Sequence, residues 1–365
     1  MRLDNVVDLI RGPKGSVVRL EVIPAQAVDM TRSHTIEITR DTVELEDQAA
    51  QSDIIDVERD GTTHSIGMIT VPTFYVDFEA WQAGDPDYRS TTRDVAIEVE
   101  KLKEAGVEGI VLDLRDNGGG ALQEANSLLG LFIDRGPTVQ VRDAQGRIQL
   151  YGDSDAGTLY DGPLTVLVNR LSASASEIFA GAIQDYQRGL VLGGQTFGKG
   201  TVQEIIPMSY GQVKLTRSKF YRISGASTQH RGVIPDIEFP DFYNAYDDIG
   251  ESSLDGALPW DTVRPVEYRA YHPVQAYLPM LRELHEARAA ESPDFNYLKD
   301  QIERTRELRE RERLSLNEEI VKAEREAAKR VEFDAENLRR QLKGLPLKEW
   351  IDEDEAQDEE AVAST

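Results

Sequence analysis

Short apolar runs alternate with amphipathic stretches between residues 65 and 200, and this alternation limits the folds that the chain can adopt. The runs GIVLDL and LTVLV have the length of buried strands, and each leads through a turn into a stretch with helical periodicity. Strands that alternate with helices pack as a sheet covered by helices, with crossover connections between the strands. The sequence therefore predicts an α/β layer architecture for this region.

Turn residues set the bounds of the predicted elements. The stretch TTRDVAIEVEKLKEAGV predicts an amphipathic helix that ends at Gly106, and SEIFAGAIQDYQ predicts the helix that follows LTVLVN. Near the start of the chain we expect a short helix, a Gly-Pro turn and a strand with Val18, Leu20 and Val22 on one face. Further strands are predicted for HTIEITR, SIGMITVPTFY, GLVLGG, GTVQEIIPM and GQVKLTRSKFYRI.

The composition is that of a soluble globular protein with an acidic surface. The 365 residues carry a formal net charge of -25 and include no cysteine. This charge disfavours nucleic acid as a partner, because phosphates would be repelled. The lack of cysteine excludes disulfides, thiol catalysis and Cys-ligated zinc.

The apolar runs are shorter than the ~20 residues that cross a bilayer. The start, MRLDNVVDLIRGPKG, lacks the apolar core of a signal peptide, so the protein is either cytoplasmic or has lost its true beginning.

After about residue 245 the composition shifts to one dominated by Glu, Arg, Leu and Ala. Acidic and basic residues at offsets of three and four along 296–344 support a long solvent-exposed helix. The apolar positions are too sparse for a coiled-coil seam, so we expect helices that pack on the body of the protein. The acidic end, EWIDEDEAQDEEAVAST, is predicted to be disordered.

The stretch DLRDNGGGAL has two interpretations. Its glycines can serve a strand-to-helix turn that needs positive φ, or they can direct a run of backbone N–H groups at an anion. Gly118 and Gly120 fit the start of a dinucleotide-binding fingerprint, but Gln123 stands where the third glycine belongs. The stretch is therefore not a dinucleotide site, and its role stays open at this level.

The stretch GGQTFGKGT resembles a phosphate-binding loop only in part. Gly193, Gly198 and Lys199 match the spacing, but Gly200 stands where a Ser or Thr must hold Mg²⁺. The following TVQEIIPM is predicted to be a strand, whereas a phosphate-binding loop needs a helix N-terminus there. An NTPase is therefore excluded. Lys199 is either a surface turn lysine or an amine that its flanking glycines allow to point inward.

Three serines at alternate positions, in RLSASASEIFAGAIQ, precede a helical pattern. Only Ser174 has an acid three residues later, and Ser174-x-x-Glu177 is a capping box that puts Ser174 at the helix N-cap. Capping is the commoner role of such a serine. A helix N-terminus is also a good place for acyl transfer, because its free N–H groups and positive dipole end stabilise an oxyanion.

A serine nucleophile needs a base. None of the five histidines sits in a recognisable strand-end or turn motif, and each is expected to be structural or on the surface: His34, His64, His230, His272 and His285. A lysine can act instead if burial lowers its pKa towards neutrality. Lys199 is the lysine best placed to act as this base, because glycines flank it on both sides.

Four stretches in order, GIVLDLRDNGGG, SASASEIFAGAIQDY, TFGKGTVQ and STQHRGVIPDIEFP, resemble the carboxy-terminal processing peptidases of family S41, in their bacterial tail-specific protease branch. The resemblance implies that Ser174 is the nucleophile, that Lys199 is the general base and that Gln203 orients the lysine. It also implies an oxyanion hole and a supporting acid, which fall on Ala175, Gly119 with Gly118 or Gly120 as alternatives, and Glu177.

The mechanism implied by the resemblance is acyl transfer in a serine endopeptidase with a Ser174/Lys199 dyad. Neutral Lys199 takes the proton of Ser174, the oxyanion is held by backbone N–H groups, and water hydrolyses the acyl-enzyme. Such a dyad needs no metal, cofactor or nucleotide. The alternative is a catalytically silent peptide-binding or scaffold protein on the same fold.

The resemblance also implies a domain order. Residues 1–25 correspond to the end of a PDZ domain, so the chain starts within that domain. Residues 26–245 form a crotonase- or ClpP-like ββα spiral core of α/β (α+β) class, 246–348 a helical C-terminal domain and 349–365 an acidic tail. The resemblance further implies that the substrates are polypeptides with apolar, unstructured C-termini, delivered by an envelope lipoprotein adaptor. The implied location is the periplasm or cell envelope, with peripheral membrane association.

Overall fold

The computed structural model describes residues 9–10, 12–22, 34–40, 49–246, 248–271, 274–311 and 313–350. Contacts between Cα atoms divide the chain into two compact units, Met1–Gln48 and Ala49–Thr365. The predicted acidic tail lies almost wholly outside the described residues, as does most of the short N-terminal helix. The assignment of residues 1–25 to a PDZ domain stays a prediction.

The first unit contains an antiparallel hairpin of strands β1 (Val17–Val22) and β2 (His34–Thr39). Val18, Leu20 and Val22 are half-buried and the residues between them are exposed, which confirms the predicted one-sided strand. Arg40 donates to the carbonyls of Leu9 and Ile10 at 3.0 and 2.6 Å. Because β2 pairs with β1, this unit continues past residue 25.

The second unit is built on a six-stranded sheet, which confirms the predicted α/β architecture. Its strand order is β12-β9-β8-β5-β4-β3. Neighbouring strands are parallel except β3, which forms an antiparallel hairpin with β4. The strands are β3 (Gln51–Arg59), β4 (Thr62–Thr70), β5 (Gly109–Asp113), β8 (Leu164–Val168), β9 (Leu190–Gly193) and β12 (Ile237–Glu238). Parallel strands need crossovers, and the predicted helices supply them.

Four helices belong to this layer: α1 (Phe78–Gln82), α2 (Thr91–Glu104), α3 (Leu122–Gly130) and α4 (Ala175–Asp185). Helix α2 starts at the N-cap Ser90 and stops before Gly106, which has φ +75°, so the predicted stop is confirmed. Helix α4 is apolar on nearly all sides and is buried from Ala175 to Ile183. A helix buried all round has a fixed position, which matters because the candidate nucleophile precedes it.

A second sheet has the order β10-β11-β6-β7 and is antiparallel throughout. Strands β10 (Thr201–Pro207) and β11 (Gln212–Tyr221) were predicted from their pattern. Strands β6 (Gly136–Asp143) and β7 (Ile148–Asp153) were not, because neither segment combines clean alternation with an apolar run. Strand β10 begins two residues after Lys199.

Three further helices follow: α5 (Val274–Glu291), α6 (Pro293–Arg309) and α7 (Glu318–Leu342). The ring of Phe239 lies 4.9 Å from that of His285 and 5.4 Å from that of Phe295, so α5 and α6 pack on the body as predicted. The single long helix expected over 296–344 is wrong. It breaks before Asn317, whose side chain caps α7 by accepting the N–H of Glu319 at 3.0 Å. Within the described ranges, no helix has both the length and the apolar composition to span a bilayer.

Candidate active site

The three alternating serines have different environments, which the sequence alone could not distinguish. Ser172 and Ser176 are fully buried and donate to the carbonyls of Leu114 and Asn117 at 2.7 and 2.8 Å. Ser174 is half-buried, and its Oγ accepts a hydrogen bond of 3.5 Å from Lys199 Nζ. Ser172 and Ser176 are therefore structural, and Ser174 is the one whose hydroxyl is available for chemistry.

Ser174 holds a backbone conformation that is rare for a residue with a side chain. Its φ is 58° and its ψ is -110°, at the turn between β8 and α4. Such dihedrals persist only where surrounding bonds enforce them, and they are concentrated at functional sites. The N–H of Ser174 donates to Glu177 Oε2 at 2.8 Å, and the preceding Ala173 N–H donates to the Asn117 carbonyl at 3.0 Å.

The predicted capping box is found at the start of α4. The Glu177 carboxylate accepts the N–H of Ser174, as the motif requires. The Ser174 hydroxyl lies at the capping position of the Glu177 N–H, which also donates to the Ser174 carbonyl at 3.0 Å. The hydroxyl also accepts a long hydrogen bond of 3.5 Å from Lys199 Nζ. Ser174 Oγ therefore lies within reach of the Lys199 amine at the start of α4.

Glu177 connects the two halves of the site. Its side chain is fully buried and accepts four hydrogen bonds, all between 2.6 and 2.9 Å, from Ser174 N, Thr196 Oγ1, Gly198 N and Lys199 N. Burial raises the pKa of Glu177 to about 7, and these four donors oppose the rise because they stabilise the charged form. One carboxyl group thereby holds the serine turn and the lysine loop together.

Lys199 has the environment that a lysine base requires. Its side chain is half-buried in a loop bounded by Gly198 and Gly200, as the glycine flanks suggested. Burial lowers the pKa of Lys199, and the positive charge of Lys214 lowers it further. The carboxylates of Glu251 and Glu177 act in the opposite direction. The phosphate-binding alternative is excluded by the fold, since a strand and not a helix follows Lys199.

The glycine turn lies directly against the serine turn. A Cβ atom on Gly119 would lie 2.7 Å from the carbonyl oxygen of Ala173 and 2.8 Å from Ser174 Cβ. The Gly119 N–H donates to Asn117 Oδ1 at 2.9 Å, so this predicted oxyanion donor is already engaged. Gly118 and Gly120 remain as candidate donors from the turn. Ala175 is buried at the first position of α4, where an N–H has no acceptor within the helix.

Replacing Gly119 with Ala tests this close approach. We expect Gly119→Ala to lower the free energy of unfolding by about 3 kcal/mol, because φ is +101° and the new methyl group meets the serine turn. Gly118→Ala is the matched control, since its Cβ would meet nothing within 4 Å, and we expect a change within about 0.5 kcal/mol. Urea unfolding measures both. Equal losses in the two variants would contradict the assigned packing.

Gln203 lies apart from this network. It is exposed on β10, next to an irregularity in register, and its Nε2 donates to Thr216 Oγ1 at 3.4 Å. Among the described residues, no hydrogen bond joins Gln203 to Lys199. Its role in orienting the lysine stays a prediction.

Sequence reasoning missed three buried polar residues of the site. Asn117 is fully buried, donates to the Val71 carbonyl at 2.7 Å and holds both turns. Thr196 accepts the N–H of Val233 at 2.7 Å while it donates to Glu177. Gln229 accepts the N–H of Gly200 at 2.8 Å. Of the three, Asn117 had a sequence signal, because asparagine before a glycine run is typical of a side-chain-bonded turn.

His230 corrects the expectation that no histidine sits in a turn motif. It has φ +65°, and its N–H donates to the Gly198 carbonyl at 2.8 Å, so its backbone packs on the lysine loop. The amine of Lys199, and not an imidazole, is the group that contacts Ser174 Oγ.

Comparisons with known proteins show which family the chain resembles. Residues 65–239 match the family model described as Peptidase family S41, and residues 244–365 match the C-terminal domain of tail specific protease. The chain is 40% identical over 356 residues to Tail-specific protease of Haemophilus influenzae, which covers 94% of this chain and 48% of that protein. It is 37% identical to Carboxy-terminal-processing protease of Bartonella bacilliformis, covering 70% of this chain and 56% of the relative.

Among solved structures, the photosystem II D1 C-terminal processing protease matches with a TM-score of 0.46 and 29% identity, over 65% of this chain and 59% of that one. The chain spans about half the length of the curated relatives that it matches.

Proposed function

The chain belongs to peptidase family S41, and from that premise we propose that it is a serine-type endopeptidase in which Ser174 attacks the scissile peptide bond and Lys199 is the general base. The observation that carries the proposal is the contact of 3.5 Å between Lys199 Nζ and Ser174 Oγ, made across a carboxyl group that binds both turns. Catalytic hydrogen bonds are often long without substrate and shorten when the substrate binds.

The proposed reaction is acyl transfer. Neutral Lys199 accepts the Ser174 hydroxyl proton as Oγ bonds to the carbonyl carbon of the substrate, and the carbonyl oxygen becomes an oxyanion. The N–H of Ala175 and an N–H of the glycine turn are the proposed donors to that oxygen. The protonated lysine then gives its proton to the departing amine, the peptide C–N bond breaks, and water repeats the sequence on the acyl-enzyme.

The catalytically silent alternative has no support from the site. A binding or scaffold protein gains nothing from a serine held at φ 58° or from a lysine whose pKa burial lowers. Both features are costly to stability. Their presence together favours catalysis, because an activated nucleophile needs both.

The proposed substrates are polypeptides with apolar, unstructured C-terminal tails. Support comes from the resemblance to tail-specific and carboxy-terminal processing proteases, which the names of the relatives repeat. The proposed setting is the periplasm or cell envelope, where an envelope lipoprotein adaptor would deliver substrates and peripheral membrane association would occur.

Two measurements test the proposal. An unfolded test protein that ends in three apolar residues is expected to be cleaved at least about 10-fold faster than one that ends in three aspartates, because burying unpaired carboxylates is unfavourable. A fluorophosphonate probe, which needs no peptide recognition, is expected to label Ser174. Absence of both labelling and cleavage would contradict the peptidase. Labelling with equal cleavage of the two tails would contradict only the tail preference.

A further inference from the structure

The loop that carries Lys199 is held from two sides. The N–H groups of Gly198 and Lys199 donate to Glu177, at 2.8 and 2.9 Å. The next N–H, that of Gly200, points the other way and donates to Gln229 Oε1 at 2.8 Å. The position of the lysine backbone therefore depends on an amide side chain as much as on the central carboxyl group.

Gln229 is built into the interior beside the loop. It is fully buried, and a Cβ atom on Gly200 would lie only 2.7 Å from its backbone nitrogen. Because its amide oxygen accepts from Gly200, its NH₂ group must face the opposite direction, where it donates to Glu251 Oε1 at 2.9 Å. A buried amide whose two ends are both bonded has one fixed orientation.

Glu251 closes the arrangement into a ring. It starts the short 3-10 turn Glu251–Ser253 and is only 8% exposed, and its N–H donates to the Phe197 carbonyl at 2.9 Å. Gly200 thus donates to Gln229, Gln229 donates to Glu251, and Glu251 donates to Phe197. We call the two side chains Gln229 and Glu251 the lysine clamp.

The turn that presents Glu251 is itself anchored beside the serine stretch. The guanidinium of Arg170 donates to the carbonyls of Ile249 and Thr196 at 2.8 and 3.1 Å. Glu251 falls within 244–365, the segment that matches the C-terminal domain of tail specific protease, whereas Lys199 and Gln229 fall within the peptidase match. The C-terminal segment therefore contributes a backbone N–H that bonds Phe197, next to the lysine loop, and a carboxyl group that bonds Gln229.

We propose that the lysine clamp positions Lys199 for proton transfer, and that the C-terminal segment thereby completes the active site through Glu251. The proposal rests on the proposed peptidase function. Gln229 and Glu251 are positioning residues: they act through the lysine loop and do not touch the serine.

Glu251 also acts on the lysine by its charge. The charged groups that face Lys199 are Lys214 from β11, Glu177 from α4 and Glu251 from the C-terminal segment. The negative charge of Glu251 raises the pKa of Lys199 and so limits the fall that burial causes. Removing that charge should lower the pKa, so that Lys199 becomes neutral at a lower pH.

Two substitutions at one position separate geometry from charge. Glu251→Gln keeps an oxygen that can accept from Gln229 but removes the charge, so we expect a plateau kcat near that of the unaltered chain and an acidic limb of kcat/KM moved to lower pH. Glu251→Ala and Gln229→Ala break the clamp, and we expect kcat to fall about 10- to 100-fold with KM within about twofold. Cleavage of the apolar-tailed test protein from pH 5 to 10 measures these effects.

The matched control is Glu336→Gln. Glu336 is about as buried as Glu251, at 9% exposed, but it lies on α7 and bonds Arg339 and Arg340. The pH profile of kcat/KM for Glu336→Gln should therefore match that of the unaltered chain. A full plateau kcat for Glu251→Ala would overturn positioning by the clamp. An unmoved acidic limb for Glu251→Gln would overturn the role of its charge.

A second readout does not depend on cleavage. NMR titration of ¹³C-methylated lysines, with Lys199 assigned through Lys199→Arg, should show a lower pKa of Lys199 in Glu251→Gln and no change in Glu336→Gln. If the chain neither cleaves the test protein nor reacts with the fluorophosphonate probe, the peptidase proposal fails, while the titration still decides whether Glu251 acts on Lys199. An equal titration in all three proteins would overturn that action.

Discussion

Ser174→Ala is expected to lower kcat/KM for the apolar-tailed test protein by at least about 10⁴-fold, because no other group can form the acyl-enzyme. Labelling by the fluorophosphonate probe should be lost with it. The fold should be kept, since the contact of Ser174 Oγ with Lys199 Nζ is long, at 3.5 Å, and the Glu177 carboxylate still accepts the backbone N–H of residue 174. An alanine at φ 58° has the same β-carbon as serine and adds no new clash.

The neighbouring serines provide the controls for this prediction. Ser172→Ala and Ser176→Ala each remove a buried hydroxyl that donates to a backbone carbonyl, and each should cost about 1 kcal/mol of stability. Both should keep the labelling and most of the cleavage. Cleavage that persists in Ser174→Ala would contradict the assignment of Ser174 as the nucleophile. Labelling that is lost in Ser176→Ala alone would contradict it as well.

Lys199→Met should have an effect nearly as large, with loss of about 10³-fold or more in kcat/KM. Methionine fills a similar volume but has no proton acceptor. Lys199→Arg should be inactive at every pH, because the guanidinium stays protonated. In the unaltered chain, kcat/KM should rise with pH as Lys199 loses its proton. Burial lowers the pKa of Lys199, so this rise should occur below the range of an exposed lysine.

Lys101→Met serves as the control for the lysine series. Lys101 lies on α2, is exposed and pairs with Glu98 at 3.0 Å, so its loss should leave kcat/KM and the pH profile unchanged. Steady-state cleavage at several pH values measures all variants. Substantial activity in Lys199→Met would contradict the lysine-base mechanism, whatever the outcome for Ser174.

Local signals predicted most of the elements around the site. The apolar runs that became β5, β8 and β9 are continuous because these strands lie inside a parallel sheet with neighbours on both sides. Gly106 follows the end of a helix as expected, because glycine has no side chain and adopts the positive φ of that position without strain. Strands β6 and β7 were missed because neither segment combines clean alternation with an apolar run. The break before Asn317 was missed because its cap gives a weaker signal than the charge pattern around it.

The motif resemblance identified Ser174, Lys199 and Glu177 as candidate site residues, and the structure brings these three together. It could not show that Asn117 occupies the Gly119 N–H, or that Gln203 bonds Thr216. Side-chain partners of this kind depend on which atoms the fold brings within about 3 Å. Residues that share a motif need not share a hydrogen bond.

The sequence by itself determined the alternation of strands and helices, the N-cap position of Ser174 and the glycine flanks of Lys199, because periodicity, capping and backbone freedom are local properties. Only the tertiary structure decided that Ser174 and Lys199, 25 positions apart, meet across one buried carboxyl group. It alone brought Glu251 of the C-terminal segment to Gln229, which binds the Gly200 N–H of the lysine loop. Such contacts arise from how elements pack, and packing depends on side chains that are distant along the chain.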